Sequence, residues 1–210
     1  MGLLLLSSAV LVSCKNQASN VKSDSLYVKK VDNYKDNFIN GMDVSQVISL
    51  ENSGVKYYNF DGEEEDVLKI LSDNGINYIR VRVWNNPYDR EGNGFGGGNC
   101  TIDTAVELGK RATKYGMKLL VDFHYSDFWA DPSKQMCPRA WLEMTIDEKA
   151  LALYQYTKES LQKLKDANVD VGMVQIGNET NNGLAGETTW YNRTILMKKA
   201  SEAIREVTPK

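Results

Sequence analysis

A carboxyl and an amide side chain lie next to each other where a short apolar run of the sequence ends. Residues 174–176 are followed by Gly177 and then by Asn178 and Glu179. An apolar run closed by glycine is typical of a buried parallel strand that ends in a loop. A glutamate there, beside an asparagine that can hydrogen-bond a hydroxyl group, suits a general acid that cleaves a glycosidic bond. Glu179 is therefore the candidate catalytic residue.

Polar side chains also occur towards the ends of two earlier predicted strands. Alternation along each strand places them on one side: Arg80, Arg82 and Trp84 on the second strand, and Asp122 and His124 on the third. Two arginines inside a barrel need carboxylates or a ligand as partners. His124 is the only histidine in the chain, which excludes metal sites built from several histidines. It either tunes a neighbouring carboxyl group or is a structural imidazole bonded to an aspartate or to the backbone.

Four strand–helix units follow one another along the sequence. The predicted strands cover residues 38–44, 76–84, 117–124 and 169–178, and the predicted helices cover residues 62–74, 101–115, 146–168 and 188–207. This alternation predicts an α/β fold with parallel strands and right-handed crossovers. The long loops, residues 85–99 and 125–145, both follow strands, so the functional loops should share one face. A doubly wound open sheet is the alternative, although this sequence lacks the glycine fingerprint usual in its first turn.

The N-terminal residues have the features of a targeting segment. Residues 3–12 are apolar, but the segment is shorter than the ~20 residues that a membrane-spanning helix needs. Residues 11–14 resemble a bacterial lipobox, in which Cys14 becomes the lipidated first residue. We therefore expect a signal peptide over 1–14, a polar tether over 15–36 and a globular part over 37–210. The protein would then lie in the bacterial cell envelope and touch the membrane only through its lipid anchor; a plain secretory signal is the alternative.

Charge and cysteine content limit the partners further. The formal net charge is −3 and no basic stripe occurs, which argues against nucleic acid as a partner. Cys100 and Cys137 both fall in loops that follow strands, and an extracytoplasmic location permits a disulfide. The sequence does not decide between a disulfide that joins these two cysteines and two free thiols.

Four segments of the sequence resemble glycoside hydrolase family 53, the arabinogalactan endo-β-1,4-galactanases of the large barrel clan A. The segments are residues 41–45, 79–84, 122–132 and 175–181. The resemblance implies a (β/α)8 TIM barrel of which this chain supplies the first four strand–helix units. It also implies that the substrate is the polysaccharide β-1,4-galactan, hydrolysed with retention of configuration by two glutamates.

The resemblance implies roles for individual residues as well. Glu179 matches the acid/base of the family, and Asn178 matches the residue that binds the 2-hydroxyl next to the scissile bond. Arg82 and His124 match supporting positions in the active site. The implied sugar contacts are Trp84, Asn85, Asp127 and Trp129. No cofactor or metal is expected in this chain, since the calcium of some relatives is held by loops that it does not contain.

The second carboxyl group has no good candidate in the sequence. Retaining hydrolysis needs two carboxyls about 5–5.5 Å apart, and the resemblance puts the nucleophile at the end of a seventh strand. Glu187 falls in a loop, and Glu202 and Glu206 fall on the last predicted helix, so all three are poor substitutes. We therefore expect the chain to be the N-terminal half of a longer product and to be inactive alone.

Three other interpretations stay open. One is another clan A endo-glycanase, such as a β-1,4-glucanase or a mannanase. The second is a surface lipoprotein that binds a glycan without cleaving it. The third is a half-barrel that dimerises into a scaffold.

Overall fold

The structure, a computed structural model, describes residues 37–208. The predicted signal peptide, the lipidation site Cys14 and the polar tether lie outside the described residues. The strands are β1 (Gly41–Asp43), β2 (Tyr78–Val83), β3 (Lys118–Phe123) and β4 (Val171–Ile176). The helices are α1 (Val47–Asn52), α2 (Val67–Asp73), α3 (Ile102–Lys114), α4 (Ile146–Asp166) and α5 (Trp190–Val207), and a short 3-10 helix covers Arg139–Trp141.

The four strands form one parallel sheet in the order β1-β2-β3-β4. In its register Arg82 is opposite Asp122, and Asp122 is opposite Gln175. Because the strands are parallel and consecutive, their carboxyl ends meet at one edge, where the long loops also lie. The order does not reverse within the sheet, as it would in a doubly wound fold. The predicted strand–helix units of a partial barrel are thus confirmed.

The apolar core lies between the sheet and the helices. Ile79, Val81 and Val83 of β2 are fully buried there. The helices contribute Leu68, Ala105, Leu108, Ala112, Leu153, Leu161, Leu164, Leu196 and Ala200 to the same cluster. Side chains alternate between the faces of a strand, so Arg80 and Arg82 lie on the opposite face. Packing under the helices therefore fixes which side chains of the sheet are left for the site.

The first half of the described chain departs from the sequence prediction at its helices. The predicted helix start at residue 62 is wrong, because Glu64 forms an antiparallel bridge with Tyr58. The helix begins after Asp66, whose carboxylate accepts a hydrogen bond of 2.9 Å from the backbone N–H of Leu68. The short helix α1 was not predicted. None of the helices within residues 37–208 is long and apolar enough to cross a membrane.

Strands β1 and β4 form the two edges of the sheet. Within residues 37–208 each of them pairs with one neighbouring strand. An open groove beside β4 is lined by apolar side chains of the strand and of α5, among them Val171, Met173, Ile176 and Ile204. In a closed barrel every strand pairs on both sides. The described residues are therefore a partial barrel whose inner face is open.

Candidate active site

His124 is buried at the end of β3, and both of its ring nitrogens face polar groups. Nδ1 accepts hydrogen bonds from Trp84 Nε1 (3.2 Å) and from the backbone N–H of Ala130 (3.1 Å). Because two donors converge on Nδ1, the ring proton belongs on Nε2. Nε2 lies 3.1 Å from Oδ2 of Asp122. The imidazole of His124 is thus bonded to the backbone and faces an aspartate, as in the structural alternative described above. It supports the site by joining the end of β3 to Trp84.

The Arg80 guanidinium links three of the four strand ends. Nη1 donates to Asp43 Oδ2 at 2.6 Å, and Nη2 donates to Asp122 Oδ2 at 2.5 Å. Nη2 also lies 3.0 Å from Oδ1 of Asn178. Arg80 was not among the predicted site residues. Its spacing of two from Arg82 was the available signal, because an arginine on the inner face of a barrel requires carboxylate partners.

The side chain of Asn178 is held at both ends. Its Oδ1 accepts from Arg80 and, at 3.3 Å, from Gln175 Nε2, while its Nδ2 donates to the carbonyl oxygen of Ala130 at 2.7 Å. This pattern fixes which end of the amide is oxygen. Nδ2 has a second N–H that none of the described residues accepts. That N–H can bind a hydroxyl group of a substrate.

Glu179 follows a sharp turn of the backbone after β4. Gly177 has φ +79°, and a Cβ added there would lie 2.5 Å from Thr180 Cγ2 and 2.6 Å from Leu184 Cδ1. Only glycine fits this conformation and this space. Glu179 itself has φ +47°, which is uncommon for a residue with a side chain. Its side chain is exposed, and no described residue hydrogen-bonds its carboxyl group.

Trp129 presents an exposed aromatic face at the same edge of the sheet. The Arg82 guanidinium carbon lies 4.2 Å from the centroid of this ring, and Arg82 Nη2 donates to Gly97 O at 2.6 Å. The Trp84 ring stands edge-on to Trp129, with centroids 5.5 Å apart. Trp129 is 37% exposed, so part of its flat surface is available for a sugar ring. Arg82 is buried and holds that surface in place.

Two of the implied sugar contacts have other roles in the structure. Trp84 is fully buried and supports His124 and Trp129, so it has no exposed face to offer a sugar. Asp127 bridges two loops, since its carboxylate accepts from the backbone N–H of Asn86 (3.1 Å) and of Arg139 (2.9 Å). In the structure Trp84 and Asp127 thus support neighbouring side chains and loops, and their roles as sugar contacts stay predictions.

Asn85 differs from these two residues. Its backbone N–H donates to the carbonyl oxygen of Ser126 at 2.9 Å. Its side-chain Oδ1 is buried and has no hydrogen-bond partner among residues 37–208. An unpaired buried acceptor is costly, and a donor from a bound ligand would relieve that cost. Asn85 therefore stays a candidate ligand contact.

Cys100 and Cys137 are free thiols in the structure. The Sγ of Cys100 lies 3.1 Å from the carbonyl oxygen of Ser45, beside the loop that follows β1. Cys137 packs against Gly186 in the loop that follows β4. The two residues thus contact loops from opposite edges of the sheet, which is why no disulfide joins them. Burial raises the pKa of both thiols.

Glu179 is unlike the other acidic groups near the strand ends. Those carboxylates are ion-paired, Asp43 and Asp122 with Arg80 and Asp127 with Arg139. Burial opposes the ionisation of Glu187, but hydrogen bonds from Lys149 and Asn192 hold the pKa of its carboxyl below the usual range. Residues 37–208 hold no group of three or more histidine, cysteine, aspartate or glutamate side chains that could bind a metal ion. A single unpaired carboxyl is thus presented beside an amide and an aromatic surface.

The barrel-type strand–helix architecture and the asparagine–glutamate pair at a strand end match the features expected of a glycoside hydrolase family. The sequence model of glycosyl hydrolase family 53 matches residues 39–210, and the chain belongs to that family.

Two curated relatives show how similar the chain is to known proteins. The chain is 52% identical over 198 residues to the endo-β-1,4-galactanase of Bacillus subtilis (strain 168), an alignment that covers 94% of this chain and 46% of the relative. It is 39% identical over 170 residues to the arabinogalactan endo-β-1,4-galactanase of Humicola insolens, covering 79% and 48%. The chain therefore spans about half the length of these curated relatives.

Solved structures give the same assignment. The catalytic domain of a family 53 protein of Ignisphaera aggregans superposes with a TM-score of 0.84 at 41% identity, over 87% of this chain and 52% of that one. A structure from a study of two fungal β-1,4-galactanases superposes with a TM-score of 0.72 at 38% identity, over 81% and 50%. The described fold is thus about half of a family 53 barrel.

Removing the charge of Asp43 should weaken the fold most near neutral pH. Burial opposes ionisation of this carboxyl, but hydrogen bonds from Ser45 and the Arg80 guanidinium hold its pKa below 3.8. A folded-state pKa below the unfolded value stabilises the fold above that unfolded value, and the stabilisation is lost as the pH falls through the folded-state value. We expect Asp43→Asn to lower the free energy of unfolding at neutral pH, and the difference from wild type to shrink below about pH 4.

Denaturant unfolding of both proteins across this pH range measures the effect. Asp61→Asn, at an exposed aspartate without an ion pair, is the matched control and should show no such trend. A deficit of Asp43→Asn that stays constant from neutral to acid pH would contradict the charge network.

Proposed function

We propose that this chain carries the acid/base half of a retaining glycosidase that cleaves β-1,4-galactosidic bonds in arabinogalactan and pectic galactan. The observation that carries the proposal is the unpaired carboxyl of Glu179 beside the fixed amide of Asn178 at the end of β4. Membership of family 53 and the two relatives named as galactanases support the choice of substrate.

The geometry suggests a role for each group. In its protonated form Glu179 donates a proton to the oxygen of the leaving sugar while a second carboxylate attacks the anomeric carbon. Glu179 then removes a proton from the water that hydrolyses the glycosyl–enzyme intermediate. The free N–H of Asn178 binds the 2-hydroxyl of the sugar, and the exposed face of Trp129 stacks on a sugar ring.

The nucleophile of this reaction needs a carboxylate other than those described. Asp43, Asp122 and Asp127 are each neutralised by an arginine, and Glu187 is bound by Lys149 and Asn192. Each of these carboxylates is already paired within the described residues. The second carboxylate therefore comes from outside the described residues.

The 210-residue chain alone should not hydrolyse galactan at a measurable rate. Joining it to the remaining part of a full-length relative should give hydrolysis, because both carboxyls are then present. A suitable protein is a chimera in which residues 39–210 replace the matching segment of the Bacillus subtilis relative. Release of reducing sugar from galactan, cellulose and mannan by each protein measures both activity and substrate class. Normal galactan turnover by the chain alone overturns the two-part site, and preference of the chimera for cellulose or mannan overturns the substrate.

Glu179→Gln in the same chimera tests the acid/base role. We expect kcat on galactan to fall by about 10²–10⁴-fold, since a positioned general acid contributes that much. The loss should be smaller with an aryl β-galactobioside whose leaving group needs no proton. Glu159→Gln, at an exposed glutamate of α4, is the control and should leave both rates unchanged. If Glu179→Gln keeps the wild-type rate on galactan, Glu179 is not the acid; if wild type binds galactan but never cleaves it, the protein is a glycan-binding lipoprotein.

We also propose that the protein is held in the bacterial cell envelope by a lipid on Cys14. The support is the apolar segment of residues 3–12 and the lipobox-like residues 11–14. Bacteria that express the chain and are fed labelled palmitate should incorporate label into wild type and into Cys137→Ala, and none into Cys14→Ala. Unlabelled wild-type protein in the medium would instead indicate a plain secretory signal.

A further inference from the structure

The side-chain amide of Gln135 connects the loop after β3 to the Asn178–Glu179 turn. Its Nε2 lies 2.8 Å from the carbonyl oxygen of Asn178, 3.2 Å from that of Glu179 and 3.1 Å from that of Asp131. The amide has two N–H groups, so these three acceptors share them. A single side chain of one loop thus bonds both peptide groups that flank the Cα atom of Glu179.

Gln135 is itself fixed by the loop that follows β4. Its carbonyl oxygen accepts a hydrogen bond of 2.8 Å from the backbone N–H of Gly186. Gly183 packs so closely that a Cβ added to it would lie 2.7 Å from the Cβ of Gln135. Both the backbone and the side chain of Gln135 are therefore held against the segment that carries Glu179.

The turn at Glu179 needs support from outside. A left-handed conformation of a residue with a side chain persists when its surroundings impose it. Inside the turn, the N–H of Asn181 donates to the carbonyl oxygen of Glu179 at 2.8 Å. From α5, Arg193 Nη1 binds the next two carbonyl oxygens, those of Thr180 and Asn181. Gln135 holds the preceding part of the turn, at Glu179 itself.

We propose that Gln135 is a positioning residue for Glu179. By holding the carbonyl oxygens of Asn178 and Glu179, its amide sets the direction from which the carboxyl group meets the glycosidic oxygen. This inference rests on the proposed acid/base role of Glu179. In this role the Nε2 group of Gln135 acts on the backbone of the turn, so its effect falls on proton transfer and leaves KM unchanged.

The 210-residue chain tests the contact directly. Gln135→Glu keeps the size of the side chain and replaces the donating nitrogen with an acceptor. Hydrogen–deuterium exchange of a peptide that covers residues 177–182 should become faster in this variant. Gln162→Glu is the matched control, because Gln162 Nε2 donates to Asp166 on the exposed side of α4 and makes no hydrogen bond to the Asn178–Glu179 turn. Unchanged exchange in Gln135→Glu overturns the proposal.

The chimera with the Bacillus subtilis relative tests the functional consequence. We expect Gln135→Glu to lower kcat on galactan by about 100-fold, the loss typical of a small misplacement of a catalytic group, with KM unchanged. An aryl β-galactobioside with a dinitrophenolate leaving group should lose less than about 5-fold, because its departure needs little proton transfer. Retained turnover of the aryl substrate also shows that the variant is folded.

Equal losses on the two substrates would mean that Gln135 only stabilises the loops, and they overturn the proposal. Gln135→Asn, which keeps the amide on a shorter stem, is the second variant if Gln135→Glu lowers the melting temperature. It should show the same selective loss to a smaller extent. Glu179→Gln in the same chimera separates the two hypotheses: if that variant retains galactan hydrolysis, the proposed function fails whatever Gln135 does.

Discussion

The positive charge of Arg80 on the inner face of the sheet is the constraint on which the site depends. A guanidinium there requires anionic partners, and its planar fork can bind several of them at once. Asp43 on β1 and Asp122 on β3 supply the anions, and the neutral amide oxygen of Asn178, just after β4, is a third acceptor. The charge therefore joins β1, β3 and β4 at the level of the site, where only side chains can connect strands that are not neighbours.

The same network bonds most of the polar groups at this edge to one another. Asp122 is shared by Arg80 and His124, and the imidazole is fixed in turn by Trp84 and the backbone of Ala130. These contacts hold Asp122 and His124 in fixed positions. Glu179 is the exception because the turn after Gly177 carries it beyond the reach of these partners. Rigid surroundings and one unpaired carboxyl are what a preorganised acid requires.

The strand ends could be predicted from the sequence, and the loops could not. Alternation along residues 79–83 placed Arg80 and Arg82 on one side, because the helices cover the apolar side. Asp127 looked like a sugar contact, but its partners are backbone N–H groups of two loops and the Arg139 side chain. No sequence pattern indicated a role for Gln135, since two of the carbonyl oxygens that accept hydrogen bonds from its side chain lie 43 and 44 residues further along the chain. Loop contacts of this kind depend on tertiary structure that no local pattern encodes.

The predicted start of helix α2 was wrong for a related reason. The acidic residues before α2 suggested an early helix start, yet Glu64 pairs with Tyr58 and only Asp66 acts as the cap. A row of similar residues contains several candidate caps, and the preceding turn selects one of them. Strand positions are less ambiguous because a shift of one residue would exchange buried and exposed faces.

The proposed function places the two catalytic carboxyls in different halves of a barrel, which has a physical consequence. A retaining reaction needs them about 5–5.5 Å apart, and no contact within the described residues fixes that distance. It is set by how β1 and β4, the open edges of this sheet, meet their neighbouring strands. On this view the hydrogen bonds around Glu179 determine the direction of the acid, whereas closure of the barrel determines whether it has a partner. Under the proposed function, strand pairing at the edges of the sheet matters for catalysis as much as Glu179 does.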